Sequence, residues 1–214
     1  DGRIHRRRDP RCGIRPAPHR PDPTSWNPST LTAAWLGHAT VLMNIGGTMI
    51  LTDPALRSRI GIGLGVTTLG PRRFIQPALT ARELPTIDLL VISHAHMDHL
   101  DLATLRQLPR TTPVVTHRHL SDLLRQFKQV IELDWHEKTR VAGVDIEAIP
   151  ARHWGARTIT DTHRRFGGFI LSRDGSRVLF AGDTACTDLY RGYRYRRIDL
   201  CLIPIGAYDP WSDN

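Results

Sequence analysis

Residues 93–101 read Ser-His-Ala-His-Met-Asp-His-Leu-Asp, placing three histidines and a carboxylate within six positions. Imidazole nitrogens and carboxylate oxygens are the donors that zinc and similar divalent ions accept. In an extended chain, alternation puts His94 and His96 on one side. A turn into a following helix swings Asp98 and His99 toward a second point, so the spacing suggests two metal positions rather than one. Eleven histidines in 214 residues make chance clustering conceivable, and a single histidine is usually structural. Four donors packed this closely outweigh that reading.

The elements around the cluster must place it. Ile87–Ser93 is a continuous apolar run after Pro85, the pattern of a strand buried on both faces. The cluster therefore sits at the carboxyl end of a strand, where open α/β sheets place their sites. Upstream, Leu31–Leu36, Ala39–Ile45 and Thr48–Leu51 read as strands, the last two joined by Gly46-Gly47. Asp53-Pro54 ends the third, and residues 55–85 read as loop. Downstream, Asp101–Leu108 reads as a short helix, Pro113–Thr116 as a strand, and Ser121 as the cap of a helix over Asp122–Phe127. Val130–Leu133 and Val141–Ile149 are expected strands. Phe169–Ser172 and Arg177–Ala181 flank the Asp174-Gly175 turn, and Asp199–Ile203 reads as a last buried strand. Strands and short helices alternate without a strict βαβ rhythm, which predicts an α/β fold with mixed sheets.

Composition narrows the class. Forty per cent apolar and 23% charged residues describe an ordinary globular chain, and no window approaches 18 consecutive apolar residues. Three cysteines, odd and sparse, exclude a disulfide scaffold and fit a reducing, cytoplasmic compartment. The net charge of +8 invites a nucleic-acid reading. However, seven arginines and three aspartates lie within residues 1–23, so about half of the excess belongs to a tail. That Pro-rich stretch is too polar to fold by itself, and residues 1–29 are expected to form a basic arm, flexible or docked, before a domain over residues 30–214. Nucleic acid is accordingly not the expected main partner.

His94-x-His96-x-Asp98-His99 resembles the signature of the metallo-β-lactamase-fold hydrolases. Trp35-Leu36-Gly37-His38-Ala39-Thr40, Thr52-Asp53-Pro54, His153-Trp154-Gly155-Ala156-Arg157, Phe166-Gly167-Gly168-Phe169, Gly182-Asp183-Thr184 and Ile203–Tyr208 are similar to one branch. That branch is the N-acyl-phosphatidylethanolamine phospholipase D group with its bacterial relatives. The resemblance runs over roughly residues 30–210 and implies an αββα sandwich.

It further implies that His94, His96 and His153 bind one divalent ion and that Asp98 and His99 bind a second. Asp183 would bridge both, and zinc is the implied metal. Asp183 also follows a strand through Gly182, a residue that permits close backbone approach. Asp53 is expected to orient a ligand rather than to bind, against the alternative of a solvated turn. For His38, pocket lining and a structural role stay open. Two cations about 3.5–4 Å apart lower the pKa of a shared water toward about 7, giving a hydroxide nucleophile in which Asp98 and Asp183 take part. The implied substrate is a phospholipid or other small phosphodiester, with peripheral contact at a membrane. Lactone or amide hydrolysis, nucleic-acid phosphodiester cleavage and a non-catalytic metal-binding remnant are the alternatives.

One family feature is not found after Tyr208: a further histidine that completes the second metal's shell. The expectation is a C-terminally incomplete fold, a second site weaker than the first, and self-association or a partner through the missing half. Among lesser signals, Gly61-x-Gly63-x-Gly65 lacks the strand and helix of a nucleotide loop. The apolar Ile60–Leu69, set between Arg57, Arg59, Arg72 and Arg73, reads as a lipid-contacting loop or a lid. His117-Arg118-His119 reads as a solvated link, and Arg191–Arg197, with Tyr190, Tyr193 and Tyr195 interleaved, as a charged surface segment that could grip a substrate phosphate, against the alternative of single-stranded nucleic-acid binding.

Overall fold

Runs of β-branched and leucine residues, broken by Gly-Gly, Ala-Gly and Asp-Gly turns, set the architecture. The computed structural model describes residues 13–64, 67–158 and 160–205. In chain order come β1 (Thr32–Gly37), β2 (Thr40–Ile45), β3 (Thr48–Thr52), a small hairpin of β4 (Ile62–Leu64) and β5 (Thr67–Leu69), and β6 (Leu89–Ile92). After the single helical turn α1 (Leu102–Leu105) come β7 (Val114–His117) and β8 (Val130–Leu133). The second half supplies β9 (Lys138–Val141), β10 (Val144–Ile149), β11 (Gly168–Arg173), β12 (Ser176–Phe180) and β13 (Leu200–Leu202).

Two mixed sheets result. The first has the order β1-β2-β3-β6-β7-β8, antiparallel through β3 and parallel thereafter. The second has the order β13-β12-β11-β10-β9, with β13 the one parallel strand. Met43, Ile50, Leu89 and Val91 face Ile146, Phe169, Leu171 and Val178 across the sandwich. Their neighbours Leu42, Leu51, Leu90 and Ile92 pack outward against Leu100, Leu105, Leu120 and Leu124. Both faces of β6 are therefore fully buried, as its unbroken apolar run requires. This is the α/β, two-sheet sandwich expected, although the outer layers are turns rather than long helices.

Several elements differ from expectation for identifiable reasons. The helix read over Asp122–Phe127 is a 3-10 turn, Ser121–Leu123, without a side-chain cap. Instead the Glu132 carboxylate of β8 accepts the amides of Leu120 and Ser121 at 2.8 and 2.7 Å. The strand read over Val141–Ile149 begins only at Val144, because Ala142 and Gly143 both take positive φ (51° and 79°) and turn β9 back along β10. Arg173 donates to the Ala142 carbonyl at 2.9 Å and holds that turn. The last strand is half-exposed rather than buried. His117, read as part of a solvated link, is fully buried and stacked on Phe169. Ile62–Leu64 and Thr67–Leu69 pair as strands β4 and β5 rather than plain loop, and the side chains that would mark a lid or lipid contact lie outside the described residues.

The described part of the N-terminal arm lies on the domain. Arg15 exchanges backbone hydrogen bonds with Phe74 and Gln76, Arg20 pairs with Glu83 at 2.7 Å, and Trp26 packs on the outer apolar cluster. No helix among the described residues is long and apolar enough to cross a membrane.

Candidate metal centre

Five chain segments leave strand ends and meet at one edge of the sandwich. β6 delivers Ser93 through His99, β3 delivers Asp53, β10 leads to His153, β12 leads to Asp183, and the β1–β2 turn carries His38. Convergence at the carboxyl ends of parallel strands is the usual location of a site in such sheets.

Three imidazole nitrogens face one another. His94 Nε2 lies 2.9 Å from His96 Nδ1, while His153 Nε2 lies 3.3 Å and 3.2 Å from these two. Asp183 Oδ2 stands 4.0 Å from His153 Nε2 and 3.2 Å from His99 Nε2, between this group and the next. In the second group Asp98 Oδ2 is 2.8 Å from His38 Nε2 and 3.7 Å from His99 Nε2. The structure thus brings together all six residues implied as ligands. Their donor atoms fall into two adjoining groups, one of His94, His96, His153 and Asp183 and one of His38, Asp98 and His99.

Buried hydrogen bonds fix the ring orientations. Asp53 is fully buried and accepts the Ser93 amide at 2.7 Å, the Ser93 hydroxyl at 2.5 Å and His99 Nδ1 at 2.7 Å. With its proton on Asp53, Ser93 Oγ accepts His94 Nδ1–H at 2.8 Å. One carboxylate therefore orients both rings, turning Nε2 of His94 and Nε2 of His99 toward the site. Ser93, read from sequence as a strand end, is the relay. Arg157 Nη1 donates to the carbonyls of Ala95 and Leu100, both at 2.8 Å, and clamps the ends of the ligand-bearing loop. Neither residue carries a local sequence signal for these parts.

The electrostatics match a cation site. Burial pushes the imidazoles of His94 and His96 down, and takes His153 to about 4, so these three are neutral at pH 7. For His99 burial acts in the same sense, but the carboxylates of Asp183 and Asp53 outweigh it and raise the pKa to about 10. Asp98 and Asp183 are held below the usual carboxylate range by His38 and His99, against the upward push of burial. His96 Nε2 and His99 Nε2 are buried without a hydrogen-bond partner, the latter despite two carboxylates within 4 Å. Neutral imidazoles converging on one point with carboxylates beside them form a donor set that fits a divalent cation.

A two-sheet sandwich with this His-x-His-x-Asp-His edge defines the metallo-β-lactamase-like class of folds. Residues 48–213 match the beta-lactamase superfamily domain, and the chain belongs to that family. It is 32% identical over 194 residues to an uncharacterized protein of Mycobacterium tuberculosis, covering 86% of this chain and 51% of that one. It is also 32% identical over 200 residues to N-acyl-phosphatidylethanolamine-hydrolyzing phospholipase D 1 of Caenorhabditis elegans, covering 85% and 55%. The chain thus spans about half the length of these curated relatives. Among solved structures, isothiocyanate hydrolase from Delia radicum gut bacteria superposes with TM-score 0.63 at 18% identity, over 84% of this chain and 74% of that one. The metallo hydrolase Igni18 of Ignicoccus hospitalis gives 0.59 at 24%, over 83% and 72%. These two show the shared fold.

Proposed function

We propose that the chain carries the binuclear centre of a metal-dependent hydrolase that cleaves phosphodiesters, with N-acyl-phosphatidylethanolamine-type phospholipids as the substrate class. The observation that carries the hydrolase reading is the pair of donor groups joined by Asp183. His94, His96 and His153 would hold one ion, Asp98 and His99 the other, and Asp183 both. Zinc suits a set of nitrogen and carboxylate donors. When bound, the ions supply Lewis acidity and a water acidic enough to act as nucleophile near neutral pH.

The chain's own residues do the rest. Asp53 and Ser93 hold the rings in register, and Arg157 keeps the ligand loop closed. Asp183 would help hold both ions and orient the attacking water.

Two observations support a lipid substrate. The phospholipase D of Caenorhabditis elegans is among the relatives. A groove of about 640 Å³ opens from His38 and Asp183 along Trp35, Val41, Leu202 and Ile205, offering apolar wall beside a polar centre. Exposed Trp154 stands edge-on to His96, which suits a substrate drawn from a lipid surface.

Hydrolysis of bis-p-nitrophenyl phosphate and of an N-acyl-phosphatidylethanolamine by zinc-loaded protein tests this. Turnover is expected for both, falling by at least about 10²–10³-fold in His96→Ala and Asp183→Ala. Zinc bound without turnover would leave the chain a metal-binding remnant. Ester or lactone turnover alone would move the substrate class.

A further inference from the structure

His38 reaches the site through a backbone conformation that L residues rarely adopt, with φ at +55° in the β1–β2 turn. Glycine would take that conformation without strain. The turn is nevertheless held there: the Trp35 indole N–H donates to the His38 carbonyl at 2.5 Å. As a result the imidazole stands edge-on to His99, with ring centres 5.1 Å apart, and its Nε2 lies 2.8 Å from Asp98 Oδ2.

That oxygen is the informative one. Asp98 Oδ2 is also the atom that faces His99 Nε2 at 3.7 Å, so His38 approaches from the side on which the second cation would sit. A hydrogen bond as exposed as this one, with side chains 39% and 32% accessible, is also too weak to account for the strained backbone. The donor atoms of His38, Asp98 and His99 all lie within 4.8 Å of one another, and Asp183 Oδ2 is 3.2 Å from His99 Nε2. These three donors form a group of the kind zinc takes, and Asp183 adjoins it through His99.

We propose that His38 is a ligand of the second metal position, completing it with Asp98, His99 and the bridging Asp183. The proposal rests on the binuclear reading above and adds a donor to it.

Cobalt(II) titration of the chelator-stripped 214-residue chain tests it, with bound metal counted per chain and the visible absorption of cobalt followed. Two substitutions separate ligation from hydrogen bonding. His38→Asn keeps a residue that tolerates positive φ but withdraws the ring. His38→Gln can still donate a hydrogen bond to Asp98, while an amide is a poor donor to the metal. The unsubstituted chain is expected to take two ions. Both variants should keep the first with unchanged affinity and bind the second at least about 100-fold more weakly, the upper end of what losing a supporting hydrogen bond costs. Thermal unfolding of the variants shows that they are folded. Recovery of the second ion in His38→Gln to within about 10-fold would make His38 a hydrogen-bond partner and overturn the proposal, as would two tight ions in both variants. No cobalt in the unsubstituted chain would instead bring down the binuclear reading, and the proposal with it.

Discussion

Asp53 shows how much of the centre depends on a residue that need not touch a metal. It is fully buried, sits at φ +35°, and receives two hydrogen bonds from Ser93 and one from His99. Asp53→Asn would offer an N–H where one of these donors needs an acceptor, and the ring of His94 or His99 would lose its orientation. Metal affinity should fall about 10–100-fold in a chelator-competition titration, and unchanged affinity would show that the ring orientations are set elsewhere. The candidate ligands were legible because coordination chemistry restricts both residue type and spacing, so His94, His96, Asp98 and His99 stand out in nine residues. Ser93 and Arg157 were not legible in those roles. Ser93 acts through Asp53, 40 positions away, and Arg157 reaches the carbonyls of Ala95 and Leu100 across 62 and 57 positions. Folding creates those contacts, and no local pattern encodes them.

At the scale of elements, the centre is made by loops that must pass close to one another at the strand ends. Gly182, between β12 and Asp183, has φ +62°, and a Cβ there would come 2.7 Å from the Cβ of Ser93. Gly182→Ala therefore combines a left-handed backbone with an overlap beside the relay serine. A loss of about 2 kcal/mol is expected. That corresponds to a melting temperature roughly 4–8 °C lower by calorimetry for a domain of this size. An unshifted transition would show that the β12 loop has room to move. Strands β2, β3 and β6 were readable because burial on both faces demands unbroken apolar runs. The β9–β10 turn was not, since Ala142 is a residue type that does not advertise positive φ. The exposure of β13 was also hidden, because Leu200 and Leu202 look like core residues in sequence although they lie only partly buried.

Stability of the whole molecule carries a further acid-sensitive group. Burial lowers the His117 pKa from 6.5 to about 4, and both ring nitrogens lack partners against Phe169. The folded state keeps this ring neutral, while the unfolded chain binds a proton below about 6.5. The stability it contributes is therefore complete above pH 6.5 and is lost as pH falls toward 4. At about 1.4 kcal/mol per pH unit the loss is on the order of 2–3 kcal/mol between pH 7 and 4.5. Urea unfolding at those two pH values should show His117→Leu losing less stability than the unsubstituted chain by about that amount; equal losses would mean that the ring finds a partner. The His-x-His spacing of His117 and His119 carried no warning of this, because burial is decided by sheet packing. The most direct test of the centre itself is anomalous diffraction at the zinc edge from zinc-soaked crystals. Two peaks about 3.5–4 Å apart are expected, one among His94, His96 and His153, the other beside Asp98 and His99, with Asp183 between them. Ordered ligand side chains with no peak at either position would contradict the binuclear centre.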